Sequence, residues 1–393
     1  MRATKSRGFA LLLILLVLVV TGTALVLALG PWSGAARQTD ERDRQRALSD
    51  ARSTLIGYAL LATATDGTRR PGALPCPDLF DPDDPDDESY GIANSLDCIN
   101  SNGAVMLGRL PHRTLGMERG EHDLWLAIDL ALHNESGNFI NPEGGLEGGL
   151  RINGEGGHAA VLLAPGDPLP GQTGRPSADP GKYLEHENAV ADPNFLDCRD
   201  RADCNDRAVG LSLDRLFAPV QLRVLAALEV ALADFYAVHG HLPRPAPLDA
   251  ANTICDPGLE RGTLPLLEPP PEDDACEDYE RLEQESLPDW LVQQGWVDET
   301  GTGPSFIVYH VAPGCTIDGG GECADGPLTL AGEASLGAML VGAGRALAGQ
   351  DRSQSVVLAD YLEPPNAEAG EAYSRSAVEH SARNDVFRGV QIP

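Results

Sequence analysis

Phe9 to Gly30 reads FALLLILLVLVVTGTALVLALG, 22 residues without a charge, preceded by Arg2, Lys5 and Arg7. At 1.5 Å per residue a helix of this length runs roughly 33 Å, enough to cross a bilayer core of about 30 Å. The rest of the chain is polar, with 59 acidic and 29 basic residues and a net charge of −30. The expected layout is one apolar N-terminal helix with a long ectodomain behind it.

Three readings fit the apolar stretch. A cleaved secretory signal would use the small residues Gly34-Ala35-Ala36. A plain signal anchor would keep the whole segment. In the third, residues 1–8 are a short basic leader ending at Gly8 and followed by Phe9. Lys5-Ser6-Arg7-Gly8-Phe9-Ala10-Leu11-Leu12 resembles a type IV prepilin leader, and the resemblance implies cleavage between Gly8 and Phe9 by prepilin peptidase. The position that is usually Glu in that family is Leu13 here. A carboxylate inside a bilayer is costly and is kept in such helices because it pairs with the free amine of a neighbouring subunit. Tip-type minor pseudopilins, such as the K-type component of type II secretion, also lack it, so the resemblance narrows to minor subunits.

Charge leaves the orientation open, because Arg2, Lys5 and Arg7 lie before the helix but Arg37, Arg42, Arg44 and Arg46 lie close after it. Eight cysteines in pairs separated by short Asp- and Pro-rich loops fit an oxidising compartment. The expectation is a single-pass inner-membrane protein with its ectodomain in the periplasm or on a fibre. So large a negative charge argues against nucleic acid as a partner. The roughly 360 residues beyond the membrane are enough for two cores.

An internal repeat divides that ectodomain. Residues 161–189 and 339–367, at a constant offset of 178, share 11 of 29 residues without a gap. The shared positions include Gly171-Gln172 with Gly349-Gln350 and Tyr183-Leu184-Glu185 with Tyr361-Leu362-Glu363, then Asn188 with Asn366. Asn205-Asp206 finds Asn384-Asp385 beyond them. Upstream, Leu74-Pro75-Cys76-Pro77 pairs with Leu242-Pro243-Arg244-Pro245, Leu110-Pro111 with Leu287-Pro288, and 125–128 with 306–309. The chain therefore reads as a leader (1–8), a membrane helix (9–30), a stalk linker (31–46) and two copies of one unit at 47–212 and 213–393.

Leu48, Ala51, Leu55, Ile56, Ala59 and Leu60 lie near helical spacing, and the charged stretch before them has no breaker, so a stalk helix should run into the first copy, with Pro31 as its one kink or gap. Leu213 to Val238, interrupted early by Pro219, gives the second amphipathic helix, with Val224, Leu225, Leu228, Leu232 and Phe235 as its stripe. Ala159 to Leu163 and Ser305 to Val311 read as buried strands. The sequence-local cysteine pairs are Cys76 with Cys98, Cys198 with Cys204, Cys255 with Cys276 and Cys315 with Cys323, among the 105 connectivities that eight thiols allow. Zinc is disfavoured, since there is no CxxC pair and no histidine cluster beside the thiols. The run Asp81-Pro82-Asp83-Asp84-Pro85-Asp86 is either a solvated loop or a calcium site through Asp81, Asp83, Asp84 and Asp86, although its spacing matches no recognised calcium loop.

Gly57-Tyr58 on the first helix, Leu74 to Pro77, Leu110 to Gly116 and the Trp125 strand together resemble pilin-like proteins of Gram-negative bacteria. The resemblance implies an α+β fold in which a transmembrane helix extends into a stalk, followed by two tandem heads of helix packed on antiparallel sheet. It implies partners among other pilin or pseudopilin subunits, met through the N-terminal helix, where Gly22 allows close approach. Catalytic signatures are lacking: His112, His122, His133, His158, His186, His239 and His241 are dispersed, with no nucleophile elbow or His-Glu-x-x-His helix. Glu185 with Asn188, and Glu363 with Asn366, read as anchors for a loop in each copy. The expected function is that of a non-enzymatic minor subunit of a type II secretion pseudopilus or type IV pilus, with no cofactor other than the calcium just named. The alternative is a signal-anchored periplasmic binding or adhesion protein outside any fibre.

Overall fold

Leu48, Ala51, Leu55 and Ala59 recur at intervals of three and four, which places them on one helical face, and all four are fully buried. They belong to α1, Arg7–Leu61, a single helix of 55 residues. The computed structural model describes residues 7–61, 70–79, 89–248, 258–266, 280–297, 306–373 and 385–392, with gaps of one to four residues inside the longer blocks. Along α1 the side chains of 14–21 and 38–61 are described. The backbone passes through Pro31 without leaving the helix, so the gap that was one of the two expectations there does not occur.

The fold is α+β with mixed sheets. After α1 come α2 (Ser95–Ile99), β1 (Val105–Arg109), β2 (Trp125–Asp129), β3 (Leu150–Ile152), β4 (Glu155–Ala164), β5 (Asn194–Phe195) and β6 (Arg207–Ser212). The long strand β4 joins this first sheet, pairing antiparallel with β2, β3 and β6, while β3 pairs parallel with β5. Next follow α3 (Leu213–His239), β7 (Arg261–Thr263), α4 (Asp289–Gln293), β8 (Ile307–Val311), β9 (Leu328–Leu330), β10 (Glu333–Leu336), β11 (Ala338–Gly342), β12 (Ala372–Tyr373) and β13 (Val386–Val390). Strands β13-β11-β8-β7 form one sheet and β10-β9-β12 another, with β9 and β12 parallel. The main pairings are antiparallel, as expected, and each half adds one short parallel pair.

Register shows how closely the halves correspond. Val161 faces Gly210 across β4 and β6, and Met339 faces Gly389 across β11 and β13. Arg151 faces Asn194 as Thr329 faces Ala372. Asn153 and Ala331, which follow β3 and β9, both sit at positive φ, 52° and 53°. The second half splits β4 into β10 and β11 at Gly337, where β4 carries Ala159. Glycine weakens a strand interior, and it marks the bend here.

Two of the sequence matches need correction. Trp125 faces Leu163, the counterpart of Val341, and Val341 faces Val308. Trp125 therefore corresponds to Val308, two residues beyond the expected Phe306. Asp78 bridges to Arg109 and Ala246 to Thr263, so the equivalent of Gly108-Arg109-Leu110-Pro111 is Gly262-Thr263-Leu264-Pro265 rather than the segment at Leu287-Pro288. The Leu74 and Leu242 turns do correspond. Leu74 N–H donates to Leu132 O at 2.9 Å and Leu242 N–H to Cys315 O at 2.7 Å.

Helix α3 starts directly after β6, with the Ser212 hydroxyl accepting from Arg215 N–H. Pro219 lies inside it without ending it. Leu216, Phe217 and Val220 are buried on both sides of the proline, and this packing outweighs a cost of about 3 kcal/mol for an interior proline. Leu213, Leu216 and Phe217 pack in the core under the first sheet, and Val220 to Phe235 in the core under the second. Among the described residues, α3 is the helix long and apolar enough to cross a membrane by length and composition, and half of its apolar window is buried inside the protein. The N-terminal stretch expected to take that role has part of its side chains, 9–13 and 22–30, outside the described set.

Candidate functional site

Ile14 to Val20 lie on α1 with 49–66 % of each side chain exposed. Seven consecutive residues cover the whole circumference of a helix, so the surface here is apolar on every side. Such a helix is suited to lipid or to packing among other helices, not to one face of a soluble core. Thr21 carries the polar side chain nearest this run, and its hydroxyl donates to Val17 O at 2.7 Å, which removes a free donor from the helix surface. Gly8 and Phe9 lie in the first turn of α1 and Leu13 one turn further on.

The helix enters the folded body at a clamp of charges. Glu41 Oε1 accepts from Arg207 Nε at 2.6 Å, and Arg44 pairs with Asp40 at 2.9 Å and with Glu41 at 3.4 Å. Although burial opposes it, the Arg207 and Arg44 guanidinium groups hold the Glu41 carboxyl below its usual range. This ties α1 to the start of β6.

A separate cleft of about 200 Å³ has walls that include Asp78, Tyr90, Arg109, His112, Arg119 and Asp123. Arg109 is 4 % exposed, stacks against Trp125 and Tyr183, and donates to Ser177 O at 2.9 Å and to the Tyr183 hydroxyl at 3.0 Å. Asp123 pairs with Arg109 at 3.6 Å and with Arg119 at 3.3 Å. Burial lowers the pKa of His112. The cleft is smaller than the roughly 300 Å³ at which small-molecule sites begin, and both of its arginines are already paired with Asp123.

The repeated Tyr-Leu-Glu segments build an anchor in each half. Asp206 Oδ2 accepts from Glu185 N–H at 2.9 Å and from Asn188 Nδ2 at 3.0 Å. Glu185 in turn accepts from Gln172 Nε2 at 3.0 Å and from Asn205 N–H at 3.1 Å. Asn188 exchanges two hydrogen bonds with the Leu196 backbone, at 2.8 and 2.9 Å. In the second half Glu363 N–H donates to Asp385 Oδ2 at 3.0 Å. Glu185, Cys204 and Asp206 bring donor atoms within 4.8 Å of one another, but the Cys204 sulfur is bonded to Cys198 and offers no thiolate to a metal. The loop-anchoring role expected of Glu185 and Asn188 matches these contacts.

Sequence inspection missed two arginines that complete the anchors. Arg175 donates to the carbonyls of Gly166, Lys182 and Tyr183 and to Gln172 Oε1. Arg352 donates to Gly344, Asp360 and Tyr361 and to Gln350 Oε1, the same four partners in the repeat. The shared Gly-Gln pairs were the available signal, since a glutamine held by a guanidinium needs one nearby.

Disulfides join Cys76 to Cys98, Cys198 to Cys204 and Cys315 to Cys323. Cys255 and Cys276 lie outside the described residues, as do Asp81, Asp83, Asp84 and Asp86, and with them the calcium expectation. No family model, curated protein or solved structure matches this chain.

Proposed function

We propose that this protein is a membrane-anchored, non-enzymatic subunit of the pilin-like kind, a minor component of a type II secretion pseudopilus or type IV pilus, with a duplicated head. The observation that carries the reading is the division of labour along α1. Its Ile14 to Val20 surface is apolar on every side and exposed, while Leu48, Ala51, Leu55 and Ala59 of the same helix are fully buried against the first sheet. One helix that is both a membrane or fibre element and the core helix of an α+β head is what the layout calls for. The matched registers of the two sheets support the duplicated head. Leu13 in place of Glu favours the tip, where no further subunit needs a partner carboxylate. The three disulfides favour a periplasmic body.

N-terminal mass spectrometry on protein from membranes of the native host, with and without prepilin peptidase, tests this. A chain beginning at a methylated Phe9 that reverts to the longer form in the peptidase mutant is the expected result. An intact leader in both strains would assign the protein to the signal-anchored class outside any fibre, and a start near Arg37 would make it an ordinary secreted protein.

A further inference from the structure

Helix α3 is apolar on two faces. Leu216, Val220, Val224, Leu228 and Phe235 turn toward the cores. On a surface helix of a soluble body the outer face is then polar. Here Leu222 and Val230 are 44 % and 60 % exposed, and Pro219, Ala226, Ala233 and Ala237 continue the same stripe with partly or fully exposed side chains. Steps of three and four between these positions keep them on one side of the helix for about 27 Å. This second apolar face is why a helix half buried in the protein still has the composition of a membrane span. An uncovered apolar strip of this length marks a contact surface.

Charges at the edges of the stripe restrict what can cover it. Arg223 and Asp234 are eleven residues apart, almost three whole turns, so both flank the same edge. The Arg223 guanidinium is held there over the Trp290 ring, at 5.1 Å, and Asp234 is exposed. Glu229, on the opposite edge, is neutralised by Arg388 of β13. A second copy packed parallel would set Arg223 against Arg223. An antiparallel copy, related by a two-fold axis between Leu228 and Glu229, sets each Arg223 level with Asp234 of the other copy on the same side of the seam, and makes the pair twice. A two-fold contact requires such a self-complementary surface, and the alanines let the two helices approach closely.

We propose that the outer face of α3 binds the same face of a second copy of this chain, antiparallel, with Arg223–Asp234 pairs across the seam. This contact lies in the distal half and is independent of whether α1 enters a fibre.

Cysteine cross-linking of the full chain in membranes of the native host, under mild oxidation and read on non-reducing gels, tests it. In the antiparallel register the two Val230 positions lie about 4.5 Å apart along the helix axis and the two Leu222 positions about 20 Å. Val230→Cys should therefore give a disulfide-linked dimer and Leu222→Cys should not. Asp234→Arg, at an exposed residue, should cut the V230C dimer yield on the order of tenfold by setting like charges together. Adding Arg223→Asp should restore the yield, which a misfolded variant could not do. A face covered by lipid or by a different protein gives no V230C dimer, and random collision gives L222C dimers equally well. Either result overturns the proposal, as does a charge swap that fails to restore the yield.

Discussion

Glu185 holds Asp206 through its backbone N–H at 2.9 Å while its own carboxyl sits beside the Asp206 carboxyl, and Glu363 holds Asp385 in the same way at 3.0 Å. Burial, with the neighbouring glutamate adding to it, raises the pKa of both aspartates. Between the unfolded value of about 3.9 and the raised native value, the native state binds more protons than the unfolded one, so stability falls as pH rises. The contribution is complete below the ordinary carboxyl range and is lost as pH climbs through the raised value. Asp206→Asn mimics the protonated acid. Its melting temperature should match the unaltered protein's near pH 4 and exceed it at about pH 8, as scanning calorimetry would show, and equal pH slopes for the two proteins would refute a raised pKa at Asp206.

Arg352 is 4 % exposed and donates to three backbone carbonyls, those of Gly344 and Tyr361 in buried bonds and that of Asp360 in a half-buried one. Arg352→Lys keeps the charge but loses the planar fork that reaches them together. We expect a loss of about 2–3 kcal/mol in urea unfolding. Arg175→Lys should act in the same direction, with a similar magnitude.

Gly108 and Gly262 occupy the same place in the two sheets, and a Cβ at either would run into the backbone. At Gly108 it would lie 2.7 Å from Asp78 O, and at Gly262 it would clash with Ala246 O. A backbone carbonyl cannot swing aside as a side chain can. Gly262→Ala should therefore cost about 2 kcal/mol or more and weaken the β7 edge. Hydrogen exchange at Thr263 N–H, which donates to Ala246 O at 2.7 Å, would report it.

Val17 is 49 % exposed in the middle of the apolar run. A charge at a membrane-centre position costs about 2.5–3.5 kcal/mol on insertion scales. Val17→Asp should thus shift the protein from the membrane pellet to the soluble fraction after alkaline extraction. Unchanged extraction would remove the apolar run from the anchoring role.

The helices were legible because their period is short-range. The stripe from Leu48 to Ala59 needs no knowledge of its partner strand. Strand correspondence was not, because Leu-Pro occurs at 74, 110, 169, 242, 264 and 287, and a dipeptide cannot say which copy it matches. Only the pairing of Ala246 with Thr263 decides it. Arg352 escaped a gapless alignment because its loop is one residue shorter: Gln172 to Arg175 spans three positions and Gln350 to Arg352 two.

Helix α3 carries one further consequence. Its first turns, through Leu213, Leu216 and Phe217, are rooted in one core, its later turns from Val220 onward in the other, and no linker separates it from β6. Asn141 Nδ2 also donates across the halves to Gly295 O at 2.8 Å. A cut at 212/213 would take three apolar plugs out of the first half, so the repeat unit in the sequence is not a unit that can be excised. Mechanically, α3 is a splint. A pull or push on the distal half is delivered to the first sheet, and through the Arg207–Glu41 clamp to α1, without a pivot in which the load could dissipate.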